Sequence, residues 1–169
     1  MGSLLDWGPF SRVRRNHALE HATLQVLAEQ NHALRLAGYS DPDGFWVVGG
    51  VSTEELQAAV DQALARLNQG ESNLAIHPYC GTNLVASGML AGSLAWLAML
   101  GTGKELRQKV DRFPVVLTLV TLGLLLAQPL GPFLQARVTT AAQPGGLHVT
   151  AIHPGRRGEM PTHRVLTSG

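Results

Sequence analysis

The sequence predicts an α+β protein in which a small soluble α/β layer is attached to a two-helix transmembrane hairpin. Three observations carry that prediction. Only 15% of the 169 residues are charged, well under the roughly 25% of an ordinary soluble domain. The missing charges are concentrated, since no Asp, Glu, Lys or Arg occurs in the 32 residues from Ser72 to Gly103 or the 24 from Phe113 to Ala136. The remaining chain has the amphipathic and turn-bounded patterns of a folded soluble layer in the order helix, strand, strand, helix, strand, followed by C-terminal strands. The resulting division is an N-terminal α/β domain over residues 1–82, a helical hairpin over 83–136 and a C-terminal tail over 137–169 that forms a β-hairpin joining the N-terminal sheet.

The first helix is expected from about Ser11 to Gln30. Leu34–Ala37 and Phe45–Val48 read as short strands, with the glycine, aspartate and proline of residues 38–44 supplying turn chemistry between them. In the second helix Ser52 and Glu55 form a capping box, Leu56, Val60, Ala63, Leu64 and Leu67 share a face, and Gly70 ends it. Leu74-Ala75-Ile76 reads as a third short strand, and Leu147–Ile152 and His163–Thr167 as two more around the loop HPGRRGEMP.

Two spans are expected at about 83–101 and 114–134, each near the ~20 residues that a helix needs to cross ~30 Å of hydrocarbon. Pro114 is expected at a helix start, Pro129 and Pro132 near its end. Gly88 and Gly92 make a GxxxG pair that admits another helix, from a partner or a second copy of the chain. The rival is a buried soluble hairpin, which needs more surrounding protein than this chain has. The localisation that follows is multi-pass in a bacterial inner membrane, with the lipid bilayer as first partner. Lys104, Arg107, Lys109 and Arg112 outnumber Glu105 and Asp111 in the connecting loop and favour its placement in the cytoplasm. Translocating some 80 preceding residues runs against that placement, because Leu4, Leu5, Trp7 and Phe10 are interrupted by Asp6, Gly8 and Pro9 and form no signal sequence. The side on which the soluble part lies is left open.

A net charge of +1 without a basic cluster excludes a nucleic-acid footprint. The single Cys80 excludes an internal disulfide framework and leaves a free thiol, a metal ligand or an intermolecular bridge.

The chemistry-bearing residues cluster on the first helix as His17-Ala18-Leu19-Glu20-His21. At 100° per residue His17, Glu20 and His21 share one face while Leu19, Ala22 and Val26 point to a core. Two histidines four apart can reach a single Zn²⁺, with a glutamate one turn from the first placed as a general base. His77, pinned by Pro78, is the first choice for a third ligand, and Cys80 three residues on is a further donor. Three protein ligands and water make a catalytic arrangement, whereas a closed His₃Cys tetrahedron makes a structural one. His163 is a weaker candidate, either as third ligand or as a donor polarising a substrate carbonyl.

The spacing His17-x-x-Glu20-His21 resembles the inverzincin metallopeptidases, which implies His17 and His21 as ligands and Glu20 as catalytic base. Over most of its length the chain also resembles an uncharacterised family of small bacterial two-span membrane proteins, through RRNHALEHAT at 14–23 and AIHPYCGTN at 75–83.

Each residue also has a plainer role. The His-x-x-Glu-His face can be a hydrogen-bond network with Arg14 or Arg15 pairing Glu20, His77 a turn residue, and Cys80 a small buried hydrophobe. Trp46, Trp96 and Trp7 read as core, span and interface aromatics. The expected function is a zinc-dependent, peptidase-like membrane hydrolase; the alternative is a non-catalytic membrane scaffold with a structural His/Glu network, and a transporter subunit is a distant third.

Overall fold

The computed structural model describes residues 7–169, so Leu4, Leu5 and Asp6 of the signal-sequence reading lie outside the described residues. The chain separates into two compact units, one running up to His77 and resuming over Gln135–Gly169, the other Pro78–Leu134.

The first unit contains α1 (Gly8–Gln30), β1 (Ala37–Asp41), β2 (Gly44–Val48), α2 (Thr53–Asn68), a 3₁₀ turn (Ser72–Ala75), a π-helical turn (Gln135–Thr139), β3 (His148–Arg157) and β4 (Met160–Ser168). The four strands form one antiparallel sheet in the order β1-β2-β4-β3, so the C-terminal hairpin enters the N-terminal sheet as expected. Phe45 and Val47 of β2 alternate onto one face with Val165 of β4, and Leu19, Leu27, Leu56 and Val60 of the two helices complete a dry core against them. Ser52 caps α2 as the sequence indicates, its hydroxyl accepting from the Glu55 amide while the Glu55 carboxylate accepts from the Ser52 amide. On the opposite sheet face Tyr39 stacks on Trp46, and Arg164 lies 5.3 Å over the Trp46 ring while donating to Asp41 at 2.7 Å. Trp46 is thus an outer-face residue and not a core one.

Three expectations change. The first hairpin is shifted toward the C-terminus: β1 starts at Ala37 and includes Gly38-Tyr39-Ser40-Asp41, so that the turn shrinks to Pro42-Asp43, held by the Asp41 side chain accepting from the Asp43 amide. Leu74-Ala75-Ile76 is not a strand; it ends a 3₁₀ turn and pairs with no neighbour in the sheet. β3 and β4 run through most of the expected loop and leave only Gly158-Glu159 between them.

The second unit is a pair of helices, α3 (Gly81–Met99) and α4 (Leu106–Leu134), both long and apolar enough to cross a membrane. α4 begins eight residues ahead of Pro114, so that proline lies inside the helix, as do Pro129 and Pro132. The residues the pair buries are small, namely Ala86, Ala91 and Ala98 on α3 and Gly123, Ala127 and Gly131 on α4. Gly123 permits the close approach, because a Cβ there would stand 3.2 Å from the Ala91 Cα and 2.9 Å from a Leu94 methyl. Gly88 and Gly92 play no part in this contact: a Cβ on either meets nothing within 4 Å among the described residues.

Candidate metal centre

Helix α1 is buried around its whole circumference from Ala18 to Leu24, which an amphipathic surface helix is not. Its apolar side meets the sheet and α2, and its polar side is covered by two irregular segments, residues 72–77 and the π-helical turn 135–139.

A stripe with four-residue spacing, His17, His21 and Gln25, faces those segments. His17 Nδ1 lies 3.0 Å from the Thr139 carbonyl, and His21 Nδ1 lies 2.7 Å from the Ala75 carbonyl. A carbonyl oxygen only accepts, so each Nδ1 carries a proton and Nε2 is the nitrogen left to face a metal. This is the arrangement that orients a metal-ligating histidine and raises its basicity. The two rings are 4.3 Å apart between centroids, edge to face, and the His77 ring is 5.5 Å from that of His21. Two imidazoles sharing one tetrahedral Zn²⁺ place their centroids roughly 5 Å apart. The observed spacings lie on either side of that value, and imidazole nitrogen is a donor that divalent transition metals take.

Glu20, one residue before His21, reaches the sheet. Its carboxylate accepts a 2.5 Å hydrogen bond from the Ser40 hydroxyl on β1 and packs on Gly38, where any Cβ would collide with it. Only 3% of Glu20 is exposed. The Glu20 carboxylate thus reaches β1, while the His17 and His21 imidazoles are held by the irregular segments. Arg14 donates to the Thr140 carbonyl at 3.1 Å and Arg15 to the Pro144 carbonyl at 3.4 Å.

His163 is not in this group. It sits on β4 opposite Val47, with Nε2 3.1 Å from the Thr53 hydroxyl at the start of α2. Val47 in turn pairs with Gly38, so two strand spacings, about 10 Å, separate His163 from the strand that receives Glu20. Burial holds the His163 pKa below the ordinary histidine value, against an opposing pull from Glu54. Cys80 belongs to the helical unit, where its thiol accepts from the Thr82 amide at 3.4 Å and caps α3.

Sequence reasoning missed the residues that hold the histidines. Gln25 donates to the Leu74 and Ile76 carbonyls at 2.8 and 3.0 Å, and its position one further turn along the His17–His21 stripe was a usable signal. Gln135, fully buried, accepts from the His77 amide at 2.8 Å and donates to the His77 carbonyl at 3.1 Å. A lone glutamine ending an apolar span carries no such signal.

The model of a domain of unknown function, DUF6391, matches residues 12–152, which include the whole stripe, His77 and Gln135. The chain belongs to that family. A relative in the cyanobacterium Picosynechococcus sp., itself an uncharacterised protein, is 37% identical in an alignment covering 81% of this chain and 72% of its own length. No solved structure matches.

Proposed function

We propose that this DUF6391 member is an integral membrane metalloprotein of the bacterial inner membrane, spanning it twice through α3 and α4, and that it is a zinc-dependent hydrolase of peptidase type. The observation that carries the metal reading is the pair of Nδ1-to-carbonyl bonds on His17 and His21, which leaves both Nε2 atoms to face a metal. The third donor is the His77 imidazole, whose ring lies 5.5 Å from that of His21. His77 lies only four residues before α3 begins, so the chain can separate it from the start of that span by no more than about 14 Å, and the site lies near the membrane surface.

When bound, zinc would supply Lewis acidity toward an acyl carbonyl and lower the pKa of water. Glu20 would accept the proton of the attacking water on one carboxylate oxygen while the Ser40 hydroxyl holds the other. His17 and His21 would keep their orientation throughout, since their Nδ1 protons stay on the Thr139 and Ala75 carbonyls.

The second reading is a non-catalytic scaffold with a structural His/Glu network. The burial of Glu20 and its Ser40 bond favour it, because a carboxylate satisfied by a neighbouring strand also serves to lock α1 onto β1. Metal analysis of detergent-purified protein separates the two. One zinc per chain in wild type and in Glu20→Gln, lost in His17→Ala and His21→Ala, with peptidase activity confined to wild type, supports the hydrolase. Zinc absent from wild type, or activity undiminished in Glu20→Gln, removes it.

A further inference from the structure

Residues 74–77 have an unusual hydrogen-bond pattern. The segment is neither helix nor strand beyond Ala75, yet each of its four carbonyls is taken by a side chain: Leu74 and Ile76 by Gln25, Ala75 by His21, and His77 by Gln135. Buried irregular backbone must satisfy its polar groups somewhere, and a strand neighbour would do so without any particular side chain. Here three side chains from two distant parts of the chain perform that task. The Gln135 amide bonds both main-chain groups of His77, as an adjacent strand residue would, and it does so across 58 residues of sequence with no exposure to solvent. Its own carbonyl is held in turn by the Thr140 hydroxyl at 2.8 Å and the Thr140 amide at 3.0 Å. The same π-helical turn offers the Thr139 carbonyl to His17. π-helical turns inside or at the end of an α-helix recur at functional sites, and this one holds the imidazole of His17 and the main chain of His77.

We infer that Gln135 is the positioning residue of the metal centre, fixing the main chain of His77 so that its imidazole is presented beside His21 as the third ligand. The inference rests on the metal reading above. Gln135 touches neither metal nor substrate; it acts through His77, with Gln25 holding the two preceding peptides. Partners of this kind are worth about 10–100-fold in metal affinity when removed.

The test uses full-length protein in detergent with Co²⁺ in place of Zn²⁺, because the visible d–d absorption reports ligand number and geometry where overall folding does not. Gln135→Met keeps the length and loses both bonds; Gln135→Glu keeps the acceptor for the His77 amide. The expected result is a 10–100-fold weaker affinity in Gln135→Met with the Co²⁺ spectrum of His77→Ala, partial recovery in Gln135→Glu, and no further loss when Gln135→Met is combined with His77→Ala. A wild-type spectrum in Gln135→Met overturns the inference, as do losses that add in full or a His77→Ala variant that binds like wild type. Amide exchange at His77 in metal-free protein keeps the two readings apart. Faster exchange in Gln135→Met, with Co²⁺ bound by neither protein, removes the metal centre and with it the ligand role of His77. Unchanged exchange overturns the positioning role whatever the metal result.

Discussion

The two units bury opposite kinds of residue. In the α/β unit the fully buried positions are large, Phe45, Leu19, Leu27 and Leu56 among them, while in the helical unit the buried positions are alanine and glycine and the large apolar side chains point outward, with Met89 69% and Leu126 64% exposed. Water cannot account for both. Apolar surface is driven inward at about 25 cal/mol per Å² only where the outside is water; in lipid that drive is absent and helices associate through close approach of small residues. The first unit is packed as a water-soluble core is, and the second, with two helices long and apolar enough to cross a membrane, has the small-residue contact and outward apolar side chains that a lipid surrounding favours. The proposed metal centre belongs to the first unit, where His17 and His21 are held by main-chain carbonyls and His21 is buried.

The strongest way to break this contrast is a cavity in the α/β core. Phe45→Ala should cost about 3–5 kcal/mol and lower the cooperative transition read by the fluorescence of the adjacent Trp46, while amide protection in α3 and α4 is unchanged. Loss of protection in both units together would mean one core and not two. Next in size is Leu125→Lys on α4. In hydrocarbon a charge near the middle of a span costs about 2.5–3.5 kcal/mol, and insertion should fall accordingly; on a water-exposed helix the same change is harmless and the protein would become easier to handle without detergent. Smaller again is the difference between glycines. Gly123→Val should push α4 from Ala91 at about 1–3 kcal/mol, measured by cross-linking between the helices, whereas Gly92→Val should leave the pair as it is. Equal effects would place the GxxxG face at the helix contact after all.

That last pair shows what the sequence conveyed and what it withheld. The two apolar helices, the Ser52–Glu55 cap and the C-terminal hairpin were legible because each is announced by local composition or spacing. GxxxG at Gly88 was the louder motif, but Gly123, Ala127 and Gly131 form the contact; local spacing says which faces are small, and only packing says which one is used. β1 was hidden because Gly38 through Asp41 read as turn residues, whereas Gly38 is there to make room for Glu20. His17 and His21 were legible as a pair, since one helix carries both. Their holders were not, as the Ala75 and Thr139 carbonyls come from 54 and 122 residues downstream of the rings they hold and act through bonds that no periodicity announces.

The smallest effect is the response to acid, and it should also divide the units. No titratable side chain lies in residues 81–99 or 113–134, so the helical unit should be indifferent to pH between 7 and 5. The α/β unit should not. Burial lowers the folded pKa of His163, so the unfolded chain takes up a proton first: the stability that the neutral ring contributes is complete above the ordinary value of about 6.5 and is lost as pH falls through it toward the lowered folded value. Asp41 adds a second window. Burial alone would raise its pKa, but the hydrogen bond from Arg164 and the amides of Asp43 and Gly44 outweigh burial and lower it. Its contribution is present above about 3.9 and is lost as pH falls through the folded value. His163→Gln, which can still meet the Thr53 hydroxyl, should flatten the slope between pH 7 and 5 in Trp46-monitored unfolding and leave the lower window in place. A slope identical to wild type would assign the upper window to another histidine, with those of the proposed centre, His17, His21 and His77, the next to replace.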